Sequence, residues 1–406
     1  MIGRHWRHMV MATIVIAGLA MGTAVTSAQQ GGNGNKKDDD SYLQQQIDAL
    51  KHQISTLANQ VASLLASSAP LHLVVNCGSG ESVASALAQA QGHAGAVNIT
   101  IAGTGIEEIA IRRDDVTLHG ASPSDGFQAP PGTQAVITIK GLRTSLNNLT
   151  ITGGQVGVDL TLGSLGANNI TISGTSQSGI QITANATLIS NSTFDSNQNM
   201  GVTVGAGGRA HFVNSDVSHN GFMGVVVRGG GIELEGTTVN SNAVEGIQSW
   251  LGGTVSLSGA TLQGNTFAGL DLNSNSSAMI DQGTLIAGNG GSGVTINSGS
   301  VAGVGGATIS GNNGGILVYG GSMLQLGGGT GVTIQSNASD GVSIWDTGVL
   351  VAAMGVQITQ NTGWGVFCAG PPAVAQIGQR GPSALTASTV FSNGAGQINC
   401  PGNHVP

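Results

Sequence analysis

The segment Asn242-Ala-Val-Glu-Gly-Ile-Gln-Ser-Trp250 is one copy of the repeat that decides the fold. Its glycine, followed by Val, Ile or Leu, returns between Gly157 and Val366 at intervals of 22 to 26 residues. Such a period indicates stacked copies of one supersecondary unit. The repeated glycines are Gly157, Gly179, Gly201, Gly224, Gly246, Gly269, Gly293, Gly315, Gly341 and Gly365.

The residues of each unit predict strands. Helical repeats usually need about 33 residues or more, and they are rich in good helix formers such as Ala, Leu, Glu and Lys. The units here are shorter and rich in Gly, Ser, Thr, Asn, Val and Ile. After the glycine, apolar residues alternate with other residues, as in Val202 and Val204, and this period of two is typical of a strand. We therefore expect each unit to be one turn of short parallel strands, stacked ~4.8 Å from the previous turn.

An asparagine stands four residues before seven of the repeated glycines. Stacked asparagines can donate the amide of one side chain to the side-chain carbonyl of the next, and such a ladder satisfies polar groups inside the stack. The glycine permits a close backbone approach that a side chain would obstruct. We therefore expect a structural role for Asn197, Asn220, Asn242, Asn265, Asn289, Asn337 and Asn361.

On these repeats the sequence resembles the right-handed parallel β-helix family, which includes pectate lyases, polygalacturonases and phage tailspikes. The resemblance covers residues 72–400 approximately. It implies an all-β solenoid of about ten or more coils over residues 71–406, with regular coils at 149–400. The motifs that carry the resemblance specify the fold and not a substrate.

The N-terminal segment predicts export. Arg4 and Arg7 precede the apolar run 9–20, and small residues lead to Ala28, so residues 1–28 have the pattern of a signal peptide. Residues 29–40 lack apolar side chains and are expected to form a flexible linker. The exported chain would be periplasmic, extracellular or attached to the cell surface, without a membrane span.

The charge balance argues against two classes of partner. Removal of Arg4 and Arg7 would leave 10 of the 12 basic residues against 20 acidic ones, a net charge of −10. An acidic surface with few basic residues does not suit nucleic acid or an anionic membrane. Only 8% of all residues are charged, as expected where short turns are covered by Ser, Thr, Asn and Gly.

A heptad pattern precedes the strands. Apolar residues recur at alternating steps of four and three, which predicts a coiled-coil helix over residues 41–67. The apolar positions are Leu43, Ile47, Leu50, Ile54, Leu57, Val61 and Leu64. A seam with β-branched residues at a and Leu at d favours parallel dimers, whereas the uncharged flanks and Leu65 leave a trimer open. We expect a homo-dimer or homo-trimer through residues 43–65, with a single helix capping the solenoid as the alternative.

Both ends of the solenoid carry features outside the repeat. Residues 81–91 are expected to form a helix that caps the N-terminal end, and residues 121–132 are expected to form a projecting loop. Near the other end, Cys368 and Cys400 fall at the same inward offset of successive turns. Adjacent parallel strands bring such residues within disulfide distance, so we predict a bridge between them and a buried free thiol at Cys77.

Catalytic residues are harder to assign. The resemblance implies, for enzymes, carboxylates from neighbouring turns, and for some lyases a bound calcium ion and an arginine base. The acids in this sequence stand at different offsets in different turns, and only Glu245 and Asp271, with Arg228 one turn earlier, are placed to converge. Solvated surface charges are the alternative. The sequence contains no metal-site spacing, so no cofactor is expected, and calcium would enter only with lyase activity.

A row of ligand-binding candidates stands four residues after the repeated glycine, on the outward side. Aromatic rings offer apolar platforms to sugars, and asparagine amides offer hydrogen bonds to hydroxyls. The row holds Arg228, Trp250, Asn273, Asn297, Tyr319 and Trp345. In the alternative interpretation, Tyr319 and Trp345 only pack on each other and on loops. The first functional hypothesis is a non-catalytic module that binds a polysaccharide or cell-surface glycan, or has a structural role; the second is a polysaccharide lyase or glycoside hydrolase.

Overall fold

The computed structural model describes residues 36–183, 187–327, 331–352, 355–370, 374–377 and 390–400. The chain divides into two compact units, Met1–Ser67 and Ser68–Pro406. The predicted signal peptide, residues 1–28, and residues 29–35 of the predicted linker lie outside the described residues. No described helix is both long and apolar enough to cross a membrane.

The first unit contains one α-helix, Lys36–Ser67. The helix begins five residues before the predicted boundary, so residues 36–40 are helical and the linker prediction is wrong for them. Propagating a helix costs little once it is nucleated, and no Gly or Pro interrupts residues 36–67. The apolar seam contains large exposed side chains, namely Leu43, Ile47, Leu50, Ile54 and Val61.

The second unit confirms the predicted parallel β-helix. A sheet of 13 parallel strands, called here the front sheet, forms one side of every turn. Its strands are Ile109–Ile111, Ala135–Ile139, Val156–Leu160, Ser178–Ile182, Met200–Val204, Val225–Arg228, Ile247–Trp250, Leu270–Leu272, Ser292–Ile296, Gly314–Val318, Val342–Trp345, Trp364–Ala369 and Gly396–Asn399.

The other sides belong to a 25-stranded sheet, called here the rear sheet, which contains two rows of strands. The long strands of the first row, Thr144–Thr152 and Leu165–Ser173, pair with both rows and join them. The first row is Leu71–Asn76, Val97–Ala102, Val116–Gly120, Thr144–Thr152, Leu165–Ser173, Thr187–Ser190, Arg209–Val213, Gly231–Glu235, Thr254–Ser258, Ser277–Ile280, Val301–Val304, Met323–Leu326, Val349–Ala352 and Val374–Ile377. The second row adds Thr104–Ile106, Gly126–Gln128, Thr193–Asp195, Asp216–Ser218, Thr238–Asn240, Thr261–Gln263, Leu285–Ala287, Thr308–Ser310, Val332–Gln335, Val356–Thr359 and Val390–Phe391.

The core runs along the axis of the solenoid. Alternate residues of each strand point inward, so that Val202 and Val204 on the front sheet are fully buried and lie in register with Val225 and Val227 of the next turn. In-register stacking of β-branched and leucine side chains removes apolar surface from water in every turn, and this burial is the main term that stabilises the fold.

A short helix covers the N-terminal end. It spans Val83–Gln89 and continues as a 3-10 helix over Ala90–Gly92, within the span predicted for the cap. The carboxylate of Glu107 accepts hydrogen bonds from the first backbone N–H groups of the helix, where the helix dipole favours negative charge. The helix buries Val83, Ala86, Leu87 and Ala90 against the core.

The structure describes the predicted disulfide, the predicted projecting loop and Cys77. Cys368 and Cys400 form the predicted disulfide, with their Cα atoms 4.7 Å apart. Residues 121–132 are not entirely a loop, because Gly126–Gln128 pairs with Thr104–Ile106 and with Thr150 to Thr152 as a rear-sheet strand. Cys77 is a free, half-buried cysteine.

The asparagines form a continuous ladder inside the stack. Asn242 is typical: its Nδ2 atom donates to Oδ1 of Asn265 at 3.0 Å and to the carbonyl of Val217 at 3.2 Å. Its backbone N–H also donates to Oδ1 of Asn265. The buried rungs are Asn197, Asn220, Asn242, Asn265, Asn289, Asn312, Asn337, Asn361 and Asn393.

The repeated glycine makes room for this ladder. A Cβ atom on Gly246 would lie 2.7 Å from Nδ2 of Asn265 and 2.7 Å from the carbonyl oxygen of Gly269. The ladder ends differently at the last rung, where Nδ2 of Asn393 donates to Oε1 of Gln397 at 3.1 Å. Gln397 occupies the position that glycine holds in the earlier turns.

Candidate functional site

Two rows of outward side chains cover the front sheet, and we call this surface the front face. The central row stands two residues after the repeated glycine and the edge row four residues after it. Parallel pairing places successive members of a row on neighbouring strands, as Arg228 pairs with Trp250. The central row is Thr203, Val226, Gln248, Asp271, Thr295, Leu317, Ser343 and Phe367. The edge row is the predicted set Arg228, Trp250, Asn273, Asn297, Tyr319 and Trp345.

Glu245 and Asp271 come close enough on this face to influence each other. Glu245 immediately precedes Gly246, and Asp271 lies one turn later in the central row. Burial raises the pKa of Glu245 above its ordinary value, and the charge of Asp271 raises it further. The Oε2 atom of Glu245 is buried and has no hydrogen-bond partner among the described residues, which favours the protonated carboxyl.

The Asp271 carboxylate, unlike the buried oxygen of Glu245, accepts hydrogen bonds from neighbouring side chains. Its Oδ2 atom accepts hydrogen bonds from Nε2 of Gln248 at 3.2 Å and from Nδ2 of Asn273 at 2.7 Å. Burial raises the pKa of the Asp271 carboxyl, while these two hydrogen bonds lower it in part. The two acids therefore differ, because Asp271 has donors that stabilise its charge and the buried oxygen of Glu245 has none.

The polar chain continues from Asp271 across two further turns. The Oδ1 atom of Asn273 accepts a 2.7 Å hydrogen bond from Nδ2 of Asn297, and Asn297 also interacts with the hydroxyl of Tyr319. Burial raises the pKa of Tyr319, and the charge of Asp271 adds to this effect. Both asparagine side chains thus bond within the face, and they fix the positions of Asp271 and Tyr319.

Arg228 does not join the carboxylates as the sequence suggested. Its guanidinium group lies over the ring of Trp250, 4.7 Å from the ring centroid. Among the described residues it forms no ion pair with Glu245 or Asp271. Arg228 therefore positions the indole by a cation–π interaction, and we assign it no role as a base.

Trp345 stands at the far end of the edge row, and the residue is 47% exposed. It packs edge-to-face on Phe367 of the next turn, with ring centroids 6.2 Å apart. Among the described residues the ring contact of Trp345 is thus with Phe367 and not with Tyr319. Tyr319 and Trp345 line one groove of about 450 Å³, together with Asp340 and Asp346.

The sequence analysis missed an aromatic column beside Glu245. Phe222, Val244 and Phe267 each stand two residues before a repeated glycine, and their backbones follow one another in adjacent turns. Phe222 and Phe267 are exposed. Their common offset, two residues before the glycine, is the signal in the sequence that indicates this column. The column gives the front face an apolar border on the side of Glu245.

A second groove, of about 580 Å³, lies on the rear sheet. Its lining includes Arg209, His211, Glu233 and Met279, and no Phe, Tyr or Trp. No group of three or more His, Cys, Asp or Glu in the described ranges is arranged to hold a metal ion. The front face thus combines aromatic rings, a groove and carboxyl groups of raised pKa, which makes it the candidate site.

The comparisons with known proteins agree with this fold. Residues 178–338 match the sequence family described as "Right handed beta helix region". No match was found among curated protein sequences. The repeat, the stacked parallel sheets and this match define a right-handed parallel β-helix protein.

Solved structures extend the similarity beyond the matched repeats. The A-modules of the mannuronan C-5 epimerases AlgE4 and AlgE6 from Azotobacter vinelandii superpose with TM-scores of 0.52 and 0.50 at 14% identity. These alignments cover 79% and 78% of this chain and 93% of each module. The Dettilon tailspike protein (gp208) gives a TM-score of 0.51 at 14% identity, over 71% of this chain and 65% of the tailspike, less than two thirds of its length. Similarity at this identity shows the fold alone.

Proposed function

We propose that the protein binds an extended polysaccharide along the front face. The observation that carries the proposal is the edge row, where the hydrogen-bonded Asn273 and Asn297 lie between Trp250 on one side and Tyr319 and Trp345 on the other. Aromatic rings with a polar neighbour bind the apolar face of a sugar and its hydroxyls together. Neighbouring turns are ~4.8 Å apart, so the four steps between the turn of Trp250 and the turn of Trp345 offer a track of about 19 Å to a linear polymer.

Two solved neighbours support this class of ligand. The Azotobacter modules are named for an enzyme that acts on mannuronan, a polysaccharide. At 14% identity the similarity shows the fold alone, and a fold does not specify an activity. The proposal for this chain rests on its own residues.

The double variant Trp250→Ala, Trp345→Ala tests the proposal on a panel of acidic, neutral and amino polysaccharides. We expect the native chain to bind at least one polymer, and the double variant to lose about tenfold in affinity or more, since aromatic side chains dominate such interfaces. Leu188→Ala is the matched control, because Leu188 is an exposed apolar residue of the rear sheet. Equal binding by the native and double-variant proteins would contradict the proposal.

A second candidate function is cleavage of the bound polymer. It is favoured by the difference between the two carboxyls: Glu245 has a buried oxygen without a partner, and Asp271 is held by two donors. One protonated and one ionised carboxyl flanking a glycosidic bond is the arrangement of glycoside hydrolases. In this mechanism Glu245 would protonate the leaving oxygen, and Asp271 would act as base or nucleophile.

Product analysis separates the two functions. Reducing ends or unsaturated products released by the native chain, and abolished in Glu245→Gln and Asp271→Asn, would establish catalysis. Binding that persists in both variants without any product would leave the non-catalytic module. Calcium enters only if unsaturated products form and a chelator stops their release.

Self-association through the N-terminal helix is a further part of the proposal. Five apolar residues of the predicted heptad seam are exposed in their own unit, namely Leu43, Ile47, Leu50, Ile54 and Val61. Apolar a and d positions are buried in coiled coils by pairing with a second copy. We expect light scattering to give the mass of a dimer or trimer for the chain from residue 29. Leu50→Asn with Ile54→Asn should give a monomer, and Ser55→Asn, outside the seam, should not.

Export completes the proposed setting. The pattern of residues 1–28 predicts a signal peptide, and the Cys368–Cys400 disulfide is consistent with an oxidising compartment. Expression of the full chain in a secreting host should release a product that begins at Gln29. An intact N-terminus on a protein retained in the cytosol would contradict export.

A further inference from the structure

A long part of the solenoid carries acidic residues without any basic ones. Residues 229–379 contain no Lys, Arg or His. The acidic residues in this stretch are Glu233, Glu235, Glu245, Asp271, Asp281, Asp340 and Asp346. A surface with charge of one sign attracts ligands of the opposite sign and repels those of the same sign.

Basic residues border this stretch at both ends, and of the two only Arg228 lies in the part of the chain that the structure describes. The guanidinium group of Arg228 lies over the ring of Trp250, 4.7 Å from the ring centroid. A polyuronate or sulfated polymer laid along the edge row would therefore meet Glu245 and Asp271 with Arg228 as the one compensating cation among the described residues of the row. Such a polymer is therefore disfavoured along the part of the face that carries Tyr319 and Trp345.

The groove at the far end of the edge row has a more specific chemistry. Tyr319 and Trp345 line it with Asp340 and Asp346, and no described lining residue is basic. Ammonium groups bind where aromatic faces and carboxylates converge. The groove therefore offers both elements that recognise a protonated amine.

The two carboxylates of the groove, Asp340 and Asp346, differ in their hydrogen bonds within the protein and in their exposure. Asp340 is used internally: Oδ1 accepts the backbone N–H of Trp364 at 2.7 Å, and Oδ2 accepts the hydroxyl of Ser343 at 2.8 Å. Asp346 is exposed and follows Trp345 in a turn. Asp346 is thus the carboxylate available to a ligand beside the indole ring.

We propose that the polysaccharide bound by the front face carries protonated amino groups, as in a deacetylated hexosamine polymer. The inference rests on the proposed function and adds the charge class of its ligand. Sugar rings would stack on Trp250, Tyr319 and Trp345, and an ammonium group would lie between Trp345 and Asp346. A neutral polymer gains the stacking and hydroxyl contacts but not the ammonium–carboxylate contact.

Binding of polymers that differ mainly in charge tests whether the ligand carries protonated amino groups. A hexosamine polymer is prepared fully N-acetylated and largely deacetylated, and both are compared with a polyuronate and with poly-L-lysine at a pH where the amines are protonated. We expect the deacetylated polymer to bind most tightly among the polysaccharides, and its affinity to fall on going from ~0.01 M to ~0.5 M salt as screening shortens the range of the charges.

The variant Asp346→Asn isolates the groove. Asp346 has φ 52°, a backbone conformation that Asn adopts readily, so the substitution removes the charge without straining the turn. We expect a loss of about two- to fivefold in affinity for the deacetylated polymer, the size typical of a solvent-exposed charge pair, and no change for the acetylated polymer. Asp281→Asn removes an exposed charge outside the groove and is the matched control.

The outcomes separate the inference from the proposed function. Equal binding of acetylated and deacetylated polymers, with loss in the tryptophan double variant, would overturn the charge class and leave polysaccharide binding standing. Preference for the polyuronate would also overturn it. Binding of poly-L-lysine without the amino polymer would overturn it in favour of a basic protein partner, and binding of none of the polymers would remove both proposals.

Discussion

Glu245 shows how one residue on the face of a solenoid acquires a pH dependence. Burial and the neighbouring Asp271 both disfavour its charged form, so the pKa of Glu245 in the folded chain lies above that in the unfolded chain. Its contribution to stability is therefore complete below the unfolded pKa and is lost as the pH rises through the folded pKa. At pH values above the folded pKa, the ionised Glu245 carboxyl makes the folded state less stable.

We predict that Glu245→Gln stabilises the protein at neutral pH and not at low pH. The amide removes the cost of ionisation, so the difference in melting temperature between variant and native chain should grow from pH 4 to pH 8. Thermal melts by circular dichroism across this range measure it. Glu233→Gln, at an exposed rear-sheet position, should show a flat difference; a flat difference for Glu245→Gln too would refute the prediction.

Each turn of the stack combines a side chain that bonds along the axis with a glycine that lets it approach. In the turn around Gly246, the backbone N–H and the side-chain Nδ2 of Asn242 both donate to Oδ1 of Asn265. These bonds lie in the buried interior, where an unpaired amide costs more than the bond itself contributes. The ladder is therefore more important for excluding defects than for adding net stability.

We predict that Asn265→Ala lowers the free energy of unfolding by at least about 2 kcal/mol, because it removes the shared acceptor of the backbone N–H and Nδ2 of Asn242 and the Nδ2 donor to Val239 and Asn289, all in the buried interior. Urea unfolding followed by tryptophan fluorescence measures the loss. Asn168→Ala is the matched control: Asn168 is exposed and bonds only to Ser190 through its side chain, so we expect a loss below about 0.5 kcal/mol. Similar losses at the two positions would be inconsistent with the ladder.

The repeat allowed the fold to be predicted from the sequence, but the turns that depart from the repeat were predicted less completely. The nine-rung ladder includes Asn312, which stands three residues before Gly315 and therefore does not fit the spacing of four that predicted the other rungs. Asn393 precedes Gln397 where a glycine is expected. A turn that loses one residue, or replaces its glycine, keeps its place in the stack because the hydrogen bonds of its neighbours constrain it.

The site was less predictable, and the reason is the direction of side chains within the face. The spacing placed Trp250 and Trp345 outward, but it did not show that Arg228 turns onto Trp250 or that Trp345 leans on Phe367. Such contacts join different rows and different turns, and they depend on rotamers rather than on sequence period. The same holds for the polar chain from Asp271 to Tyr319.

Across the whole molecule, each turn of the solenoid contacts mainly the turns before and after it. The stability of such a stack is approximately a sum of terms from single turns and from neighbouring pairs, and the end turns have one neighbour fewer. The N-terminal end is covered by the helix Val83–Gln89. Near the other end the Cys368–Cys400 disulfide closes a chain segment with a sequence separation of 32.

We predict that Cys368→Ser with Cys400→Ser destabilises the last turns selectively. Loss of a bridge over a segment of this length costs about 3.7 kcal/mol by the chain-entropy estimate, and end turns can open without the rest. Hydrogen exchange should show reduced protection in Trp364–Ala369 and Gly396–Asn399, with strands such as Met200–Val204 unchanged. Cys77→Ser should leave both unchanged, and a uniform loss across the solenoid would speak against local opening.

The replacement of glycine by Gln397 bears on how long the stack can grow. The repeat itself does not set the number of coils, because the asparagine Nδ2 of each turn can donate to the asparagine of a following turn. At Asn393 that amide is directed to a side chain four residues further along the same turn. An unpaired buried amide would cost free energy at this position. Gln397 thus gives the last described donor of the ladder a partner within its own turn, in place of an asparagine in a following turn.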